Sequence, residues 1–286
     1  MEAVSTQSGS RVTKRLGQQL LVAGKLTEDQ IGRVITLQQQ RNVLFGEAAI
    51  RLGLVTEEDV QVALAQQYNY PCASPDDSNF SPLLVAATQP HCAQSEAFRA
   101  LRSQLVLRWF TGERKTLAVT SARRRQGAST LAANLAILFA QMGERTLLID
   151  ANLRSPGQSR LFGINNTTGL ADVLTGRCET QDAVNGIDSF ENLYIIGGGV
   201  RPPNPQELLS RLEFSYLIET APAGFDVVIV DTPPILEFAD AQLVACLTKG
   251  CLLAVKREQS RVADISNVRI QLQPTAAQLV GAVMFD

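Results

Sequence analysis

Histidine is almost missing from the chain: His91 stands alone, and the five cysteines (Cys72, Cys92, Cys178, Cys246 and Cys251) contain no CxxC pair. No zinc set can be assembled from that stock, and scattered thiols of this kind read as reduced packing residues. A charge of one sign is missing too. The 26 basic and 28 acidic side chains leave a formal net charge of −2, which excludes a protein that coats nucleic acid by neutralising phosphates. Long apolar runs are absent. Leu131 to Ala140 is among the longest and falls far short of the ~20 residues a membrane-crossing helix needs. The first ten residues are polar and serine-rich, so no signal peptide is expected and a cytosolic protein is. The single tryptophan, Trp109, reads as a packing residue. What remains is 286 residues, 45% hydrophobic and 19% charged, enough for a large domain with a small one beside it.

Three segments are legible. Residues 1–13 read as a flexible leader. Residues 14–70 read as a helical domain built from an internal repeat, one copy over 15–38 and a second over 44–67. Gly17 and Gly46, Gly24 and Gly53, and Gln38 and Gln67 are each separated by 29 positions. Thr27-Glu28-Asp29 and Thr56-Glu57-Glu58 have the form of N-caps followed by acidic residues in the first helical turn. Each copy therefore predicts a short helix, a glycine-terminated turn and a second helix. Residues 71–92 carry Pro71, Pro75, Pro82 and Pro90 and read as a linker.

From residue 93 onward, short apolar runs alternate with amphipathic segments. Strands are expected at Leu117–Thr120, Thr146–Ile149, Leu193–Ile196, Val227–Val230, Cys251–Val255 and Val280–Phe285. Helices are expected at Ser95–Phe110, Ser129–Gln141, Pro205–Ala221, Ala239–Leu247 and Val262–Leu272. That alternation predicts an α/β fold: a doubly wound, mostly parallel sheet covered on both faces, of the P-loop NTPase kind.

The chemistry concentrates in three places. The segment Ala118 to Ala140 is a strand, a turn and a helix, the setting of a phosphate-binding loop. Such a loop needs glycines so that backbone N–H groups converge on phosphate, and a lysine to reach the terminal phosphates. Gly127, Ser129 and Thr130 are present, but Ala128 occupies the lysine position and Arg125 stands where a glycine two residues before Gly127 is expected. A Cβ at Arg125 narrows the loop unless the backbone shifts. Loss of the lysine removes a charge-assisted contact of about 1.5–3 kcal/mol in binding. In a transition state the loss is about 2.7–4 kcal/mol, by analogy with a missing oxyanion donor. Arg123, Arg124 or Arg125 is an alternative source of positive charge. Downstream, Thr146 to Pro156 ends a strand on Asp150 and then offers Asn152 and Arg154, and Val227 to Pro234 ends another on Asp231. In a doubly wound sheet both carboxylates belong at one ligand crevice. They are the candidate catalytic residues, with Arg125, Gly127, Ser129, Thr130 and Asn152 expected around ATP, and Ser129 and Asp231 around Mg²⁺. A strand-end aspartate can instead cap the following turn.

On these residues, 93–286 resembles the bacterial tyrosine kinases of capsule and exopolysaccharide synthesis. LLIDANLRSP is similar to the family's second Walker element with Asn152 in place of its second aspartate, and VVIVDTPP is similar to its Walker B strand. EAFRALR is similar to the family's Glu-x-x-Arg-x-x-Arg helix, so the resemblance implies self-association through Glu96, Arg99 and Arg102; the same spacing also makes an intrahelical salt-bridge stripe. LFGINNTTGLADVLTG and PPNPQELL extend the likeness. The family carries the missing lysine and a C-terminal tyrosine cluster, whereas the last tyrosine here is Tyr216. Within that family the chain resembles the chain-length-determinant kinases of the EpsG type. That resemblance implies a two-span membrane co-polymerase as partner, recruitment to the inner membrane, and a kinase activity impaired by Ala128.

The front domain resembles the N-terminal domain of MshE-type secretion and pilus ATPases, in which two 24-residue motifs five residues apart bind cyclic-di-GMP. Arg15, Leu16, Gly17, Leu20, Leu21, Gly24, Leu26, Ile31 and Gln38 match in the first copy, while Lys25 and Ile35 depart. Gly46, Ile50, Gly53, Leu54, Val55, Val60, Leu64 and Gln67 match in the second, where Leu44-Phe45 replaces the opening Arg-Leu and Ala49 is smaller than expected. The ligand contacts implied are the matching residues other than Val55, with Ile35 and Phe45 added. Arg15 is suited to guanine and phosphate, and the apolar rows to the ligand's flat faces. Those rows also suit the core of a protein-docking repeat.

Overall fold

The computed structural model describes residues 16–57, 59, 60, 63, 64 and 79–285. Arg15 and Gln67 of the expected ligand set, the leader, and residues 71–78 of the expected linker lie outside them. The chain divides into two compact units at Cys72/Ala73.

In the first unit the repeat is written into the backbone. Gly24 N–H donates to Leu21 O (3.0 Å) and Lys25 N–H to Leu20 O (2.9 Å). Twenty-nine residues on, Gly53 N–H donates to Ile50 O (2.8 Å) and Leu54 N–H to Ala49 O (3.1 Å). Both turns need a left-handed residue, and Gly24 and Gly53 supply φ of 68° and 66°. Thr27 caps helix α1 (Glu28–Arg41) in a capping box with Gln30. Thr56 and Asp59 exchange the equivalent bonds, Asp59 N–H to Thr56 Oγ1 at 3.1 Å and Thr56 N–H to Asp59 Oδ2 at 2.9 Å. Helix α2 (Phe45–Arg51) packs through Phe45, Ala48 and Ala49 into a core with Leu16, Leu20, Leu26 and Val34. Gly46 is forced there, since a Cβ would lie 2.7 Å from the Val60 side chain.

The second unit is a seven-stranded sheet: β1 (Thr116–Ser121), β2 (Thr146–Asp150), β3 (Val184–Ile187), β4 (Phe190–Ile196), β5 (Val227–Asp231), β6 (Gly250–Lys256) and β7 (Gln278–Phe285). The order is β3-β4-β2-β5-β1-β6-β7, and every pairing is parallel except β3 with β4. Period-two alternation sends Leu117, Val119, Val227 and Ile229 to one face and Ala118, Val228 and Val230 to the other, and both faces are buried. Helices α3 (Val85–Thr88), α4 (Ala93–Arg108) and α5 (Ala128–Gln141) cover the first face; α6 (Leu212–Gly224), α7 (Asp240–Thr248) and α8 (Val262–Leu272) cover the second.

Three readings need correction. Residues 79–92 are not linker. Phe80 meets Phe162 edge to face and stacks on Phe190, Leu84, Ala86 and Ala87 are fully buried, and Asn134 Oδ1 accepts the Ala86 N–H at 2.9 Å. The helix expected over Pro205–Ala221 is two, Pro205–Leu209 and Leu212–Gly224, because Arg211 is extended and donates to Leu174 O at 2.9 Å. The edge strand β3 was not expected at all. Among the described residues no helix is long and apolar enough to cross a membrane.

Candidate nucleotide site

Parallel strands deliver their C-terminal ends to one rim. Register pairs Asp150 with Asp231, and Asp231 with Val119 of β1, whose next residues enter the 122–127 loop. The two carboxylates and the loop therefore share one end of the sheet, as their spacing required. The turn after β5 is tied to β1 by Thr232 N–H to Val119 O (3.0 Å) and by the Thr120 hydroxyl to Pro233 O (2.9 Å).

The loop keeps the backbone of a phosphate loop without its lysine and one of its glycines. Gly127, at φ 86°, precedes the first turn of α5, and Arg125 adopts φ 62°, the conformation a glycine would take there at no cost. For a residue with a Cβ that conformation costs roughly 1–2 kcal/mol. The backbone thus does not shift to make room; Arg125 takes up the strain. Ala128, at the lysine position, is buried, and Ser129 and Thr130 are half-buried in the first turn of α5.

The three arginines separate. Arg123 makes a bidentate pair with Asp264 (2.8 and 2.9 Å), and Arg124 binds Glu237 through Nε (2.9 Å) and its own backbone N–H (3.0 Å). Arg154 makes a third fork with Asp240 (2.8 and 3.0 Å). Phe238 lies under both the Arg124 and Arg154 guanidinium groups, 5.2 and 4.2 Å from ring centre to carbon. Arg125 is exposed and has no hydrogen-bond or ion-pair partner among the described residues.

The aspartates differ as well. Asp150 is buried and fully used: Oδ1 accepts from Asn152 N–H (3.2 Å), and Oδ2 from Gly157 (2.8 Å) and Gln158 (2.9 Å) N–H groups. Its immediate role is to shape the 151–158 turn, and burial still pushes its carboxyl up to about 6. Asp231 is buried too, with Oδ2 accepting from Gln158 Nε2 at 2.7 Å and Oδ1 without a partner. Burial first, then the charge of Asp150, raise it to about 8, with the Gln158 hydrogen bond opposing them. Asn152 is half-buried, and its Oδ1 accepts from Ser155 N–H at 3.3 Å, a local turn contact. Gln158 was not expected; no motif marks it.

An orphaned, buried carboxylate oxygen beside Ser129 fits a divalent cation, which would supply charge neutralisation to phosphate oxygens. The loop backbone fits a phosphate chain; the lysine's contribution has no counterpart at Ala128.

A family model described as an AAA domain matches residues 114–259. The chain is 32% identical over 207 residues to the putative tyrosine-protein kinase CapB of Staphylococcus aureus, covering 72% of this chain and 90% of that one. The chain belongs to the bacterial tyrosine-protein kinase family. Another member, tyrosine-protein kinase YwqD of Bacillus subtilis, is 36% identical over 201 residues, covering 70% and 84% of the two chains. Among solved structures of the family, the kinase domain of Escherichia coli tyrosine kinase ETK superposes with a TM-score of 0.69 at 31% identity, covering 72% of this chain and 80% of that one. The Pyrococcus furiosus cell division ATPase MinD, at 24% identity and a TM-score of 0.53, shares the fold, covering 60% of this chain and 71% of that one.

Glu96, Arg99 and Arg102, expected to mediate self-association, lie on α4. Here Arg99 pairs with Glu96 (2.7 Å) and also reaches Pro90 O, while Arg102 donates to Leu138 O of α5 at 3.0 Å. Within one chain all three residues are already engaged, and Glu96 is exposed.

In the first unit, a cavity of about 340 Å³ is lined by Gly17, Gln18, Leu21, Glu28, Ile31, Ile35 and Phe45. Five of these are expected cyclic-di-GMP contacts. Leu16, Leu20, Leu26, Gly46 and Val60 are instead buried in the small core. Ile50 is exposed, Leu54, Leu64 and Gln38 are half-buried, and Gly24 and Gly53 sit at the turns.

Proposed function

We propose that this protein is a regulatory member of the kinase family. In this reading a front unit senses cyclic-di-GMP, and the nucleotide unit is impaired as a kinase. The pair serves exopolysaccharide synthesis in the cytoplasm, beside a membrane co-polymerase that recruits it to the inner membrane. The observation that carries the reading is the contrast between a kept loop backbone and a missing lysine, with buried Ala128 in its place. Ser129 and Asp231 would hold Mg²⁺ with ATP or ADP. Without the lysine, charge growing on the transferred phosphoryl group goes uncompensated from that side. The cyclic-di-GMP reading draws on the duplicated turn and on the apolar cavity, whose Leu21, Ile31, Ile35 and Phe45 suit the flat faces of a dinucleotide. Calorimetry with cyclic-di-GMP on the full chain, repeated with Arg15→Ala and Ile35→Glu, tests this. Binding weakened by both substitutions is expected, and no heat from the intact protein would remove the sensing function.

A second reading, a working autokinase, is favoured by one observation: Arg125 alone of the loop arginines lacks a partner among the described residues. Incubation with ATP and Mg²⁺ followed by phosphotyrosine detection separates the two. A signal abolished by Asp231→Ala and by Arg125→Ala would replace the impaired-kinase reading.

A further inference from the structure

Gln158 joins both strand-end aspartates to the first turn of α5. It is fully buried. Its backbone N–H donates to Asp150 Oδ2 at 2.9 Å, and its Nε2 donates to Asp231 Oδ2 at 2.7 Å and to Ser129 O at 3.1 Å. The amide orientation is fixed by chemistry, because both side-chain partners are acceptors and would repel Oε1. Both Nε2 protons are therefore spent, one on the strand tip and one on the first turn of α5.

The amide oxygen is left over. Gln158 Oε1 and Asp231 Oδ1 are both buried without a partner, on two side chains already bonded to each other. A buried unpaired acceptor costs about 1–3 kcal/mol. Two of them on one amide–carboxylate pair make a pocket of oxygen lone pairs short of donors. The ligand class that answers such a pocket is a hard divalent cation carrying its water shell. We propose that Gln158 is a positioning residue of the cation site. It holds Asp231 through Oδ2, leaves Oδ1 to meet the cation shell, and offers Oε1 as a second acceptor to that shell. Because one nitrogen also holds Ser129 O, the strand tip and the loop helix are kept in register with each other. The inference rests on the nucleotide-binding reading of this site.

The test is ADP and ATP titration into the full chain, by calorimetry, once with Mg²⁺ and once with EDTA. Gln158→Met keeps volume and removes the amide; Gln158→Asn keeps the amide one methylene short. The wild-type chain is expected to bind more tightly with Mg²⁺. Both variants should lose about tenfold or more of that gain, the scale seen when outer-shell partners of a metal are removed. Their metal-free affinity should fall less than their affinity with Mg²⁺, a split that a merely structural defect would not give. Should Gln158→Met fail to fold, Gln158→Asn decides. Variants that retain the full Mg²⁺ gain, or that lose metal-free affinity equally, overturn the role of Gln158 and leave the nucleotide reading standing. A wild-type chain that binds neither nucleotide under either condition removes both.

Discussion

The acidic and basic halves of the candidate nucleotide site have kept different things. On the acidic side, β2 and β5 deliver Asp150 and Asp231 in register, buried and bonded to the neighbouring turn. On the basic side, the 122–127 loop keeps the backbone path through Arg125 and Gly127 but has replaced the cation that a phosphate would meet. The acidic half is held by the sheet's hydrogen-bond ladder, so it survives loop substitutions. The basic half depends on single side chains, and its own arginines have been drawn into pairs with Asp264 and Glu237. Geometry is thus more durable than charge at this rim.

Restoring the charge should have the largest effect. Ala128→Lys is expected to tighten ATP binding by about 1.5–3 kcal/mol, the range for a charge-assisted hydrogen bond, and equilibrium titration checks it. An unchanged affinity would place the defect at Arg125 instead. The acidic half is tested through pH. Without a cation beside it, Asp231 keeps its proton in the folded state up to about 8, against 3.8 for an ordinary aspartate. Between those values the folded chain binds more protons than the unfolded one, so stability falls as pH rises. Asp231→Asn, which keeps an acceptor for Gln158, should flatten that slope and raise Tm at pH 8 by about 2–4 °C for each kcal/mol relieved. A steeper slope or a lower Tm would contradict the buried-charge account.

Arg125→Gly should come next. Relief of the left-handed backbone is worth roughly 1 kcal/mol in thermal unfolding. The same variant sharpens the comparison, because a simultaneous fall in ATP affinity would mark Arg125 as a phosphate contact. The smallest effect is expected of Arg124→Ala. Its side chain is 64% exposed in the pair with Glu237, and such surface pairs contribute about 0–1 kcal/mol.

These differences track what was legible in the sequence. The core strands were read because fully buried parallel strands are apolar runs, and only their ends moved by a residue or a few, as at Phe190–Ile196. The edge strand Val184–Ile187 escaped because it is four residues long and includes Asn185 and Gly186. Residues 79–92 depart from the linker expectation because proline content speaks for a turn and is silent about Phe80 stacking on Phe190. Gln158 had no local signal, since its partners lie 29 and 73 residues away along the chain. The duplicated turns, by contrast, were wholly visible, because Gly24 and Gly53 are local requirements of a left-handed backbone.

Trp109 has a practical corollary. Its ring lies so close over Gly250 that an added methyl group would sit 2.0 Å from it, and its indole N–H donates to Thr116 O at 2.9 Å. As the sole tryptophan, it makes intrinsic fluorescence a private probe of the sheet-bearing unit, blind to the small helical one. Melting followed by emission and by helical ellipticity on one sample would reveal whether the halves come apart together or in turn.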